Sequence, residues 1–201
     1  MQERAGATTA PPEANRSKPV VAPAEATRLK PVAAPAEPVQ VANSKWAAYA
    51  NPAPLAVGSG PVGAPLVLVW TEGASEEAEA MLDKMLQGVL KLQRDDISVV
   101  TLSRVRAAAS RFRTDLLKEL ERLKPGLVLV MGTLGTRAIV GEEGDPTSAR
   151  LDWHALEGEK QMWAVRITHH PEHIRLKSAQ GEQEPRREAF VDLQAVASRL
   201  L

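Results

Sequence analysis

Two stretches decide the fold class: Leu127-Val128-Leu129-Val130-Met131-Gly132-Thr133-Leu134-Gly135-Thr136, and Trp163-Ala164-Val165-Arg166-Ile167-Thr168-His169-His170-Pro171-Glu172-His173. Each opens as a short apolar run and breaks at a turn signal, a Gly-rich one in the first and a His-Pro loop in the second. A strand running into a Gly-rich turn and a helix start, followed by a strand ending in a loop, describes the carboxyl edge of a parallel α/β sheet. Such sheets place their ligand sites at that edge.

The same punctuation extends outward. Pro65-Leu66-Val67-Leu68-Val69-Trp70 is a continuous apolar run between Gly63 and Gly73, the pattern of a strand buried on both faces. Ser75 is a candidate N-cap with Glu76 and Glu77 in the first turn, and Ala78, Leu82, Met85, Leu86 and Val89 recur at helical spacing to about Leu92. Asp95-Asp96 turns the chain into a β-branched strand, Ile97 to Thr101. Ser110 is expected to cap a helix whose face is Phe112, Leu116, Leu120 and Leu123 and which Pro125-Gly126 ends. A short helix after Gly132 closes at Gly141, and residues 142–160 read as polar and irregular apart from Leu151, Trp153 and Leu156. After the His-Pro loop comes a charged loop, then a last helix opened by Pro185 that is expected to turn Phe190, Leu193, Ala197 and Leu200 toward the sheet. Alternating strands and helices with short connections predict right-handed crossovers and a three-layer α/β/α domain with a mostly parallel four-stranded sheet.

That domain is expected over residues 65–201. Eleven of the fifteen prolines precede Leu66, and residues 1–64 show no periodic apolar pattern, so they read as a disordered Pro/Ala-rich tail. Lys18-Pro19-Val20-Val21-Ala22-Pro23-Ala24-Glu25 recurs as Lys30-Pro31-Val32-Ala33-Ala34-Pro35-Ala36-Glu37, a semi-rigid spacer or a recruitment sequence for a Pro-reading domain. Within the tail, Lys45-Trp46-Ala47-Ala48-Tyr49 carries an isolated aromatic pair. Trp46 and Tyr49 either anchor a partner or fold back on the chain's own domain.

Composition removes whole classes of chemistry. With no cysteine in 201 residues, disulfides, thiolate zinc sites, iron-sulfur clusters and a Cys nucleophile are all excluded. No cofactor is expected. No apolar run approaches the ~20 residues needed to span a bilayer, and no secretion signal is evident, so a cytoplasmic location is expected. Residues 1–64 carry six basic and four acidic side chains and residues 65–201 nineteen and twenty-one, giving zero formal charge. Tight electrostatic binding of DNA therefore needs a local patch. Arg104, Arg106, Arg111 and Arg113 supply one around Phe112: a contact for nucleic acid or an acidic protein, or a solvated helix start.

Other candidates carry paired readings. His154, His169, His170 and His173 suggest metal, yet adjacent histidines at a strand end diverge, so no metal site is expected. His170 suits an electrostatic stabiliser, a loop residue holding backbone near Gly132, or a phosphate contact in a nucleic-acid or partner interface with Gly132 and Thr133. Gly132 to Gly135, with Thr133, either cradle a phosphate at a helix N-terminus or permit tight packing. Glu72 is placed to act as a general base or to remain a solvated loop carboxylate.

The ordered series Met81 to Leu86, Asp96 to Thr101, Leu123-Lys124-Pro125, Val128 to Gly132, His170-Pro171 and Arg187 to Leu193 resembles the uracil-DNA glycosylase superfamily, nearest its iron-sulfur bacterial branch, over residues 65–201. The resemblance implies that fold and, in an active member, hydrolysis of the N-glycosidic bond of uracil in DNA. Its catalytic set carries over poorly. Active members place a water-activating acid in a Gly-Glu-Ala-Pro-Gly type loop, followed by a segment whose Phe stacks on the flipped base. Here Trp70-Thr71-Glu72-Gly73-Ala74-Ser75 runs directly into the helix. The Asn that reads uracil aligns with Leu102, the cluster cysteines are missing, and of the catalytic set only His170 remains, with Glu72 as the nearest acid. Without platform or reading group, the cost of extracting a base is not recovered. In plan, a long tail before a pared-down domain, the chain is similar to the psi-subunit family of the bacterial DNA polymerase III clamp-loader complex, noncatalytic relatives of that fold. That similarity implies an accessory interaction module in DNA replication or repair, with clamp-loader or chi-like partners. The alternatives are a divergent active uracil-DNA glycosylase and a sequence-independent DNA-binding protein.

Overall fold

A computed structural model of the protein describes residues 53–201. It is an α/β domain: β1 (Ala56–Ser59), β2 (Leu66–Thr71), α1 (Glu76–Met85), β3 (Ser98–Leu102), α2 (Ala109–Leu123), β4 (Leu127–Met131), α3 (Gly132–Val140), α4 (Pro146–Ala149), β5 (Trp153–Glu157), β6 (Met162–Thr168), α5 (Pro171–Ala179) and α6 (Glu184–Leu200). Trp46, Tyr49 and the Lys-Pro repeat lie outside the described residues. Among the described residues no helix is long and apolar enough to cross a membrane.

The sheet is mixed and has six strands in the order β1-β3-β2-β4-β6-β5, which corrects the expectation of four. The four expected strands, β3, β2, β4 and β6, pair in parallel. At the two edges β1 pairs antiparallel with β3 and β5 antiparallel with β6. β1 lies inside the stretch expected to be tail, and Leu55 and Ala56 are buried, so the folded domain starts well before residue 65. β5 lies in the stretch expected to be irregular. It forms a hairpin with β6 across Gly158–Gln161, closed by the Gly158 amide donating to the Gln161 carbonyl at 3.0 Å.

The continuous apolar runs are explained by two cores. Alternate side chains of one strand point to opposite faces. Val67, Val69, Val128, Val130, Val165 and Ile167 meet α2 and α3 on one face. Leu66, Leu68, Leu129 and Met131 meet α1 and α6 on the other. The α2 face is as expected: Phe112, Leu116, Leu120 and Leu123 are fully buried. Each such side chain contributes about 1.5–3 kcal/mol by leaving water.

Local signals hold in part. Ser75 caps α1, its Oγ accepting the Ala78 amide at 3.3 Å. A π-helical turn, Leu86–Leu90, then extends α1 and ends at Lys91 in left-handed conformation. Ser110 lies inside α2, whose N-cap is Ala108, because the Ala109 amide is held by the Glu142 carboxylate instead. The charged loop after His170 is the helix α5, with Pro171 in its first turn, where a missing N–H costs nothing. In α6 the buried face is Ala189, Asp192, Leu193 and Val196, while Phe190 is 50% exposed, so the expected inward turn of Phe190 is corrected.

Candidate functional site

The chain steps from β2 to β3 on one side and then returns to β4 on the other, so the strand order reverses between β2 and β4. The carboxyl ends of those two strands are where a crevice is expected in such a sheet. Four segments converge there: Trp70 to Gly73 at the end of β2 and just past it, Ser103-Arg104 after β3, Gly132 after β4, and His169-His170 after β6.

The segments brace one another. The Glu72 amide donates to the Leu102 carbonyl at 3.0 Å, and the Glu72 carboxylate accepts the Arg104 amide at 2.8 Å and the Ser103 hydroxyl at 3.2 Å. Arg104 Nη2 returns to the Gly73 carbonyl at 3.2 Å. Glu72 thus ties the β2 and β3 loops together. Leu102 is fully buried in the core.

His170 sits over the β4 turn. Gly132 has φ +83°, a region that suits glycine, and a Cβ there would lie 3.0 Å from the His170 Cβ. A Cβ on Gly135 would lie 2.5 Å from the Val130 side chain, so both glycines meet a packing requirement. Thr133 is exposed on the first turn of α3. The His170 ring stacks on Trp70 with centroids 6.0 Å apart and planes 19° apart, and the Arg94 guanidinium covers Trp70 at 5.3 Å. Trp70 is only 7% exposed, so its ring faces are taken up inside the protein. His170 Nδ1 accepts the Glu172 amide at 3.1 Å, which places the proton on Nε2, and Nε2 is buried without a partner. Burial first, and then the positive charge of Arg104, pull the His170 pKa below 6.5 against the opposing pull of Glu172 and the Thr71 backbone. At neutral pH the ring is uncharged.

The other histidines diverge from His170. His169 Nε2 lies 2.6 Å from the Glu188 carboxylate and its ring stacks on His173, with centroids 5.4 Å apart. His154 Nε2 contacts the Ala149 carbonyl at 2.7 Å. Among the described residues no group of three or more His, Asp or Glu side chains has the arrangement of a metal site.

The arginine patch is divided. Arg104 is committed to Gly73, and Arg113 Nη1 to the Ile139 carbonyl at 2.8 Å. Arg106 and Arg111 are exposed, and Arg111 faces Asp115.

Sequence reasoning missed a buried polar network behind this edge. Asp192 is fully buried on α6; its carboxylate accepts Arg166 Nη2 at 2.7 Å and the Thr168 hydroxyl at 2.9 Å. Arg150 lies between Glu188, which it pairs, and Asp192 at 3.8 Å, and Glu188 also holds His169. The only signal in the sequence was Arg166 inside an apolar strand. A charge there needs a buried partner, but spacing does not say which.

The same edge makes stability depend on pH. His170 and His173 are both held below 6.5, mainly by burial, so the unfolded chain binds more protons near that pH. Their contribution is complete above 6.5 and fades as pH falls. Glu172 is pulled from 4.5 down to about 2 by Arg175 and Ser75, so its contribution is complete above 4.5 and is lost toward pH 2. The melting temperature is therefore expected to decline in two steps, between about pH 7 and 5 and again below about pH 5. Glu172→Gln should flatten the second and, by removing the charge that holds the His170 pKa up, leave the first in place or deepen it. Melting that stays level from pH 7 to 5 would contradict the buried, neutral histidines.

The sequence matches no family model and no curated protein.

Proposed function

We propose that this chain is a noncatalytic domain of the uracil-DNA glycosylase-like fold that serves as an accessory interaction module in DNA replication or repair, in the manner of a psi-like clamp-loader subunit. The observation that supports loss of catalysis is the filled edge. An enzyme that takes a base out of the stack recovers a few kcal/mol by stacking it and pairing its edge in a closed pocket. Here Trp70 is the aromatic ring at the edge, and it is stacked against His170 on the protein's own side and covered by Arg94. Glu72, the acid nearest the water-activating position, is engaged with two donors of the β3 loop. The reading position is Leu102, whose side chain offers no hydrogen bond.

One observation favours the second reading, a divergent glycosylase: the buried Nε2–H of His170 closes no well-formed hydrogen bond and feels only the pull of the Thr71 backbone, and a catalytic role is one explanation for such a buried donor. A single assay separates the two. The full chain, incubated with single- and double-stranded uracil-containing DNA, is expected to leave no abasic sites above the background of heat-treated protein. Abasic-site formation that disappears in His170→Ala would establish the enzyme instead.

A further inference from the structure

A groove of about 1010 Å³ lies on the outer surface of the helical layer, between α1, α5 and the first half of α6. Its floor is apolar: Met81 and Met85 from α1, Ile174 from α5, and Phe190 from α6. On α6, Arg186, Arg187, Phe190 and Val191 form one outward stripe at spacings of four, with Phe190 50% and Val191 55% exposed. On α1 the matching stripe is Glu77, Ala80, Met81 and Lys84. Two helices thus present facing rows of side chains, the geometry that receives a third helix.

Charge selects the occupant. Lys84, Arg186 and Arg187 stand on the rim, and none pairs with a carboxylate among the described residues. The one acid in the lining, Glu77, lies in the field of Arg175. An apolar floor with unpaired cations around it fits a ligand with apolar side chains along one face and carboxylates at its margins. A phosphate backbone would satisfy the rim and leave the floor exposed to water. The methionines suit a helical ligand, since their unbranched side chains adapt to its contours.

We propose that this groove is a docking site for an acidic amphipathic helix of a partner protein. The proposal rests on the reading of the chain as an interaction module and names where that interaction takes place. It is independent of whether the sheet edge excises bases, so the peptide experiment and the uracil assay can fail separately.

The test uses the full chain and a fluorescein-labelled peptide of about 16 residues, with Leu at helical i, i+3, i+4 and i+7 positions and Glu or Asp elsewhere. A second peptide keeps the leucines and replaces every acid by Lys. The acidic peptide is expected to bind saturably in the micromolar range and the Lys peptide not to bind. Phe190→Asp, at an exposed position, should weaken binding at least tenfold with an unchanged melting temperature. Arg186→Glu with Arg187→Glu should weaken it at least as much and reverse its dependence on salt, since the rim is then net acidic and added salt screens its repulsion of the peptide. No saturable binding, equal binding of the Lys peptide, or full affinity in folded Phe190→Asp would overturn the proposal. Two further outcomes would also overturn it by assigning the groove elsewhere. Self-association abolished by Phe190→Asp would give it to a second copy of the chain, and tighter peptide binding in Trp46→Ala would give it to the chain's own N-terminal segment.

Discussion

Asp192→Ala is expected to destabilise the domain by about 3–5 kcal/mol, the largest loss of any single polar substitution in the described residues. The reason is asymmetry. Asp192 is fully buried, and its carboxylate serves Arg166 at 2.7 Å and Thr168 at 2.9 Å while standing 3.8 Å from Arg150. Burial pushes its pKa up, and the Arg166 and Thr168 hydrogen bonds pull it back. Without the carboxylate, Arg166 keeps its buried charge with only the Leu151 carbonyl, at 3.3 Å, and the Trp153 ring as company. The cost is that of the uncompensated charge and exceeds the net worth of the pair. Urea unfolding of the full chain measures it, with the denaturant slope as a check that the cooperative unit is unchanged. A loss below about 1 kcal/mol would mean that water reaches the arginines and that the network does not hold α6 to β6.

Trp70→Ala should cost a comparable about 3–5 kcal/mol, for an apolar reason. The ring is 7% exposed and joins the core formed by Leu66, Leu68, Leu82, Leu129 and Met131. Its removal leaves a cavity at the carboxyl edge and strips one face from His170 and one contact from Arg94. A second reading of the same variant tests the electrostatics. Burial is the largest cause of the lowered His170 pKa, so admitting water should move that titration back up toward 6.5. Trp70→Phe, which keeps a stacking ring, should retain most of the stability and most of the depression. NMR titration of the His170 ring follows the shift directly. An unmoved His170 in a folded Trp70→Ala protein would show that Arg104, rather than burial, sets its charge.

Where the sequence was legible, one kind of signal carried the reading. Leu66 to Trp70 and Leu127 to Met131 are strands with neighbours on both sides and helices over both faces, so the runs are continuously apolar, and Trp163 to Thr168 follows the same pattern broken only where Arg166 and Thr168 meet Asp192. The helix face of Phe112, Leu116, Leu120 and Leu123 was equally plain, because one side of α2 meets the sheet and the other meets water. The edge strands lack that signal. Ala56–Ser59 and Trp153–Glu157 pair on one side only and stay partly exposed, so their residues carry little pattern, and Pro and Gly on their flanks resemble linker. α5 was hidden for a related reason. Only Pro171 and Ile174 of its nine residues are buried, leaving a polar composition that reads as loop.

The candidate site was legible as residue types and not as contacts. His170 and Gly132 were recognisable as neighbours at one sheet edge, and they do meet. That Trp70 stacks on His170, that Glu72 ties two loops, and that Arg104 and Arg113 are bound to backbone depends on the order β3-β2-β4-β6, which brings segments remote in sequence to one line.

The sequence by itself determined the alternation of four parallel strands with helices on both sides, because burial on two faces or on one is written locally at periods of two and of 3.6 residues. Only the tertiary structure decided the strand order, the antiparallel edges, the pairing of Asp192 with Arg166 and the outward turn of Phe190. Each of these is a choice between partners far apart along the chain, made by geometric fit and by the cost of leaving a buried charge unmatched, and neither quantity exists until the elements have packed.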